Sequence, residues 1–283
     1  MAIESFFNAE TVWTCEFDKY ASQVIEKRIN KPNHGDLKTT NWTQVEPIDI
    51  LTAGYPCQPF STAGLRKGAD DERHLWPYIK EIIRILRPQF IVLENVRGHF
   101  GLGFREVLSD LASCGYDATW RLVRASDVGA PHRRERLFIL AYAESGWTRG
   151  QSIGISSKDA GIGGGCNSQT LTNANSDART QSRQTNREIR TTAAGLRAGQ
   201  DKRKTGCKSG FSFEMDKKTV PASLDQGKLN AKFVEYMMGL PEGWVTDIGL
   251  SRSQQLKILG NGVVPQQAYY ALELLWEIYE NRN

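Results

Sequence analysis

The chain has 283 residues, 40% of them hydrophobic and 24% charged, with 36 Lys/Arg against 32 Asp/Glu. That length can bury the core of one large domain or two modest ones, and a formal charge of +4 selects no partner by itself. Five cysteines, at 15, 57, 114, 166 and 207, are odd in number and never form a CxxC pair. This argues against a disulfide framework and against a cysteine-rich zinc site, so no metal is expected. The opening "MAIESFFNAE" has no basic leader before an apolar run, and no stretch reaches a membrane-spanning length. The expectation is a cytoplasmic protein with no membrane partner.

In chain order, "ETVWTCEFD" reads as a short strand ending in acids, and "DKYASQVIEKRI" carries helical spacing at Tyr20, Val24 and Ile25. "IDILTAG" is an apolar run of strand length. "LWPYIKEIIRILRP" puts Ile79, Ile82, Ile83 and Leu86 on one helical face, and Pro88 closes it. "FIVLENV" is the next strand, rich in branched residues and apolar up to Glu94. Strand, helix and strand in that order predict a βαβ crossover, hence a mostly parallel α/β sheet with helices on both faces. "ATWRLVRASDVGAP" and "RRERLFILAYA" read as two further strands joined by a loop. From 144 to 228 the periodicity collapses into Gly, Ser, Thr, Asn and Arg, and "GIGGG" occurs at 161–165. This segment holds 14 Lys/Arg against 8 Asp/Glu, which leaves a slightly acidic body with a basic insert suited to a polyanion. A solvated loop explains that composition equally well. Periodicity resumes at "FVEYMMGLPEGW" and ends in "PQQAYYALELLWEIYE", an amphipathic helix entered at Pro265.

Ligands of an open parallel sheet sit beyond the carboxyl ends of its strands. Cys57 follows the strand predicted at 48–53, and Glu94 ends the strand that starts at Phe90. If the two strands are neighbours, a thiol and a carboxyl converge on one crevice. Pro56 and Pro59 stiffen the loop that presents the thiol. Taken singly, a cysteine is as readily a buried filler, and a strand-end glutamate an ordinary surface residue.

Four motifs occur in one order: "GYPCQPFS" at 54–61, "ENV" at 94–96, "APHRRER" at 130–136 and "LGNGVVPQQA" at 259–268. Together they resemble the DNA methyltransferases that modify carbon-5 of cytosine. The resemblance implies a Rossmann-like fold dependent on S-adenosylmethionine, with residues 1–143 and 229–283 as the catalytic domain. By elimination, 144–228 becomes a small irregular target-recognition region. It implies a single copy acting on double-stranded DNA, in a restriction–modification system or a phage. Cys57 would be the nucleophile that adds to carbon-6 of a flipped-out cytosine, and Glu94 the acid at the ring nitrogen and amino group. Arg134 and Arg136 match the arginines that hold the base oxygen and the active-site loop, and Gln58 and Ser61 would face the DNA. For the cofactor, Glu16 matches the acid on the ribose hydroxyls, Phe17 the ring against adenine, and Asp36 with Leu37 the adenine edge. Pro56, Leu75, Asn261 and Val263 complete that pocket.

The sequence also departs from the pattern. His132 stands where the family commonly has glutamine. The family opens with a strand and a glycine-rich turn for the methionine half of the cofactor, and here "MAIESFFNAE" leads directly into "TVWTCEFD". The expectation is a front-truncated member with an empty slot between the strands at 11–16 and 48–53. Those strands would either pair directly or leave room for water, residues 2–8 or another chain. Weak cofactor binding and lowered stability follow from that expectation. The alternatives are an inactive remnant that at most binds DNA, and a tRNA cytosine methyltransferase of the same family.

Overall fold

Strand and helix formation follow the apolar spacing closely. The computed structural model describes residues 1–55, 75–101, 103–143, 192–198 and 220–282. These belong to one compact unit, residues 1–146 and 189–283; the second unit, 147–188, lies outside the described residues. In order come α1 (Ala2–Phe7), β1 (Ala9–Glu16), α2 (Lys19–Arg28), β2 (Ile50–Gly54), α3 (Trp76–Leu86), β3 (Phe90–Val96), α4 (Phe104–Ser113), β4 (Tyr116–Val123), β5 (Arg136–Ala143) and β6 (Thr192–Ala198). The short hairpin β7 (Leu224–Asp225) and β8 (Lys228–Leu229) precedes α5 (Ala231–Met237), α6 (Arg252–Asn261) and α7 (Pro265–Glu280).

Six strands form one sheet in the order β1-β6-β2-β3-β5-β4. β2 and β3 pair in parallel, so the two strands that the sequence places before Cys57 and Glu94 are indeed neighbours. β5 runs antiparallel to β3 and β4, and β6 runs antiparallel to β1 and β2. Four of the six strands therefore point one way, in a mixed sheet of the predicted α/β class.

Alternation along the strands sends side chains to two buried faces. Ile50, Phe90, Val92, Phe138, Leu140, Tyr142 and Leu196 pack under α1 and α7. α7 turns Ala268, Ala271, Leu272 and Leu275 inward, the i, i+3, i+4, i+7 stripe of an amphipathic helix. Phe6 and Phe7 of α1 meet Trp276 edge-on at ring separations of 5.8 and 5.6 Å. On the opposite face Phe104 of α4 meets Trp120 of β4 at 5.2 Å. α3 buries the four aliphatics that the sequence assigned to it and is tied to α4 through Asp110, which accepts from Trp76 Nε1 and Lys80 Nζ.

The slot expected between β1 and β2 is filled from a direction the sequence did not indicate. Residues 2–8 do not enter it, because 2–7 form α1 on the sheet face. β1 and β2 do not pair directly either. β6 lies between them, with Thr14 opposite Ala194 on one side and Thr52 opposite Ala194 on the other. This corrects the reading of 144–228 as a region wholly outside the catalytic sheet. "TAAGLRA" lacks the branched and aromatic residues that mark a strand, yet its small side chains are what the site demands. A β-carbon on Gly195 would lie 2.5 Å from Ile48 Cγ2 and 2.5 Å from the Trp13 ring.

Gly195→Ala is accordingly expected to destabilise the chain by about 1–3 kcal/mol through overpacking, with Gly98→Ala, which meets nothing within 4 Å, as the control. Urea denaturation of the two variants checks this; equal midpoints would mean that β6 is not held in the slot.

Candidate active site

The sheet register builds the site. Glu16 of β1 is opposite Thr192 of β6, Thr192 opposite Gly54 of β2, Gly54 opposite Glu94 of β3, and Glu94 opposite Phe138 of β5. These positions form one row across the carboxyl edge of the parallel strands. With about 4.8 Å between neighbouring strands, Glu16 and Glu94 stand roughly 14 Å apart along it. The missing side chain of Gly54 leaves room for the Glu94 carboxyl, whose Oε2 would lie 3.3 Å from any β-carbon there.

Tyr55, which follows Gly54, is held at three points. The Tyr55 carbonyl accepts from Asn95 Nδ2 at 2.9 Å, its hydroxyl bonds His99 Nε2 at 3.0 Å, and its ring packs on Trp76. Pro56, Cys57, Gln58 and Ser61 follow directly and lie outside the described residues. Of the described cysteines, Cys15 and Cys114 are buried. Burial, with the charges of Glu16 and Asp36, pushes the Cys15 thiol up to about 12, which disqualifies it as a nucleophile.

Glu94 Oε1 pairs with Arg136 Nε at 3.0 Å. Its side chain keeps 19% exposure, yet enclosure of the carboxyl raises its pKa above the ordinary value despite the opposing pull of Arg136 and Arg134. Arg134 turns the other way. Its Nη2 donates to the carbonyls of Gly260 and Gly262, at 2.9 and 2.5 Å, and so grips the C-terminal end of α6, where Asn261 stands. Burial, reinforced by Arg136 and opposed by Glu94, lowers its pKa to about 10. His132 donates from Nε2 to the Met237 carbonyl at 2.8 Å, which anchors the loop between β4 and β5 to the end of α5.

At the other end of the row, Glu16 is buried and accepts from the Asp18 amide at 2.7 Å, while Phe17 beside it is 77% exposed. Residues 32–35 run alongside β1: the Thr14 amide donates to Pro32, and the His34 amide to Thr14. This brings Asp36 and Leu37 to the end of β1. Asp36 Oδ1 accepts from the Lys38 amide, and Leu37 is buried under Trp42, whose Nε1 donates to its carbonyl. Leu75 caps α3 and is half-buried. Asn261 is exposed, and Val263 packs against the cluster under α1 and α7.

Two polar residues that hold this arrangement were not singled out from sequence. Gln267 is fully buried, and its Nε2 donates to the carbonyls of Val123 and Arg134, both at 2.8 Å. It fastens the Arg134 backbone, which has φ 24°, outside the range open to most non-glycine residues. Glu235 is buried and accepts from the amides of Gly243, Val245 and Thr246 and from the Thr246 hydroxyl. "PQQ" and "FVEYM" carry no signal for either role, because both act through contacts distant in the chain.

Because the folded-state pKa of Glu94 is raised, its contribution to stability is fully present below its unfolded value, about 4.3, and is lost as pH rises through the folded value. Wild type should therefore lose stability relative to Glu94→Gln over that window, as read by denaturant titrations at a series of pH values. A wild type that gains on Glu94→Gln with rising pH would mean that the Arg136 pair outweighs desolvation. Gln267→Met should cost about 1–3 kcal/mol, because two buried carbonyls lose their donor. An unchanged denaturation midpoint would show that water replaces it.

The family model of C-5 cytosine-specific DNA methylases matches residues 2–192. Among curated proteins, the type II methyltransferase M.BsuFI of Bacillus subtilis is 38% identical over 138 residues, 46% of this chain and 33% of that protein. M.NgoBI of Neisseria gonorrhoeae is 35% identical over 144 residues, 49% and 45% of the two chains. M.HhaI of Haemophilus parahaemolyticus is 33% identical over 147 residues, 50% and 45%. The matched part thus spans between a third and a half of these relatives. Among solved structures, the S. pombe Dnmt2 methyltransferase superposes with a TM-score of 0.56 at 17% identity, over 94% of this chain and 90% of that one, a likeness of fold. The chain belongs to the C-5 cytosine-specific DNA methylase family.

Proposed function

We propose that the protein transfers a methyl group from S-adenosylmethionine to carbon-5 of a flipped-out cytosine in double-stranded DNA, as part of restriction–modification or in a phage. The observation that carries this reading is the parallel pairing of β2 with β3, which sets the root of the Cys57 loop beside Glu94. Cys57 is the proposed nucleophile at carbon-6. Glu94 is the proposed acid at the ring nitrogen, a role that a pKa raised by enclosure favours. Arg136 orients that carboxyl, and Arg134 draws the 260–262 turn to the same edge.

The residues at the end of β1 fit an adenosine. A buried carboxyl at Glu16 and an exposed ring at Phe17 suit ribose hydroxyls and an adenine face, and Asp36 and Leu37 stand near them. Pro56, Leu75, Asn261 and Val263 are the proposed remainder of the pocket. When bound, S-adenosylmethionine supplies the methyl group. The row from Glu16 to Glu94 gives the span over which the two halves of the site cooperate. Residues 144–191 and 199–228, flanking β6, are the proposed target-reading segments, with Gln58 and Ser61 facing the DNA.

One observation favours a second reading, DNA binding without transfer. An antiparallel β6 stands between β1 and β2, where the family resemblance implies a strand followed by a glycine turn for the methionine half. The experiment that separates the readings uses duplex DNA containing 5-fluorocytosine, with tRNA in parallel. Wild type with S-adenosylmethionine should form a covalent adduct on the duplex, and Cys57→Ser should form none while still binding DNA. Methylation of ordinary duplex without an adduct would remove Cys57 from its role; DNA binding with neither would leave the second reading, and an adduct on tRNA alone would change the substrate.

A further inference from the structure

We propose that Arg97 and Arg124, bridged by Glu135, form a phosphate clamp that grips the DNA backbone beside the target base. The proposal rests on the reading of this site as one that acts on DNA. In the sheet, Val96 of β3, Arg136 of β5 and Val123 of β4 form one row. The next residue outward on each strand gives Arg97, Glu135 and Arg124. Glu135 Oε2 accepts from Arg97 Nη1 at 2.7 Å, and its Oε1 from Arg124 Nε at 3.2 Å. Burial would raise the pKa of the Glu135 carboxyl, but the two arginines hold it below the usual range.

The arrangement is lopsided. The Glu135 side chain is 13% exposed, while those of Arg97 and Arg124 remain 51% and 46% exposed. One covered carboxylate thus holds two guanidiniums that stay about half exposed. Exposed ion pairs add little to stability, so holding the fold is a weak account of the trio. A fixed guanidinium fork matches a phosphate well. Arg133 is exposed beside it, with its carbonyl taking the Ala125 amide, and Asp127 is the nearby acid, accepting from the Arg124 amide. Three arginines against two carboxylates leave the patch positive.

Two further facts point to nucleic acid. Glu135 immediately precedes Arg136, the partner of Glu94, so a strand delivering a base to Glu94 runs its backbone past this edge. Phe100, on the same 3-10 turn as Arg97, is an exposed ring packed on Phe104 at 5.0 Å. Arginines interleaved with an exposed aromatic are the usual makeup of a surface that follows a nucleic-acid strand.

The test is anisotropy of a labelled DNA duplex titrated with the full chain across a range of salt concentrations, without cofactor. Combined Arg97→Ala and Arg124→Ala should reduce the slope of log affinity against log salt by about 0.9 for each phosphate that is no longer neutralised, equally for any duplex sequence. Arg84→Ala, an exposed arginine on α3 paired with Glu81, should leave the slope unchanged. Glu135→Gln raises the net charge by one, yet should weaken binding because the arginines lose their fixed direction. An unchanged slope in the double variant, or tighter binding by Glu135→Gln, overturns the clamp. If the clamp variants behave as expected but wild type methylates no DNA, the proposed activity fails while the clamp stands. If wild type shows no salt-dependent DNA binding, both fall.

Discussion

Backbone amides and carbonyls inside a sheet must have hydrogen-bond partners, and that requirement on the facing edges of β1 and β2 governs the rest of this protein. Both run in the same direction with one strand's width between them, and β6 fills the gap in the opposite sense. A buried amide or carbonyl without a partner costs about 1–3 kcal/mol, so a strand here is needed whatever its side chains. The large Trp13 and Ile48 then dictate small residues, and Gly195 sits where a β-carbon has no room. Once β6 is seated, the row Glu16, Thr192, Gly54, Glu94 is fixed, and with it the distance between the two halves of the site.

The corner around Glu94 and Arg134 is assembled from pieces far apart in sequence, and polar side chains join them. Arg134 reaches over 126 residues to Gly260, Gln267 reaches back 133 residues to the Arg134 carbonyl, and His132 reaches Met237. Each closes a backbone polar group that helix and sheet leave open. Two arginines and one carboxylate in this corner have opposed demands: desolvation raises the pKa of Glu94 and lowers that of Arg134, while their mutual attraction opposes both shifts. Enclosure favours the protonated form of the Glu94 carboxyl, while the Arg136 guanidinium beside it favours the charged one.

The curated relatives match over about half of this chain and the fold neighbours over nearly all of it. A fold survives wide change in side chains where volume and patterning are kept.

What the sequence determined by itself is the set of elements whose residue pattern is local. The aliphatic stripe of α3, the branched run of β3, the pair β4 and β5, and α7 after Pro265 each follow from spacing alone. The motifs around Gly54, Glu94, Arg134 and Gly260 identified the family because the residue types are specific to the chemistry. Tertiary structure alone decided three things. "TAAGLRA" has no strand signature, and it became β6 because backbone pairing and two bulky neighbours select small residues. Gln267 and Glu235 look like ordinary helix residues until the carbonyls and amides they satisfy are brought to them. Glu135, one letter among the arginines of "RRER", gained its two partners only when three strand ends were set side by side, since an ion pair depends on distance in space and not on distance along the chain.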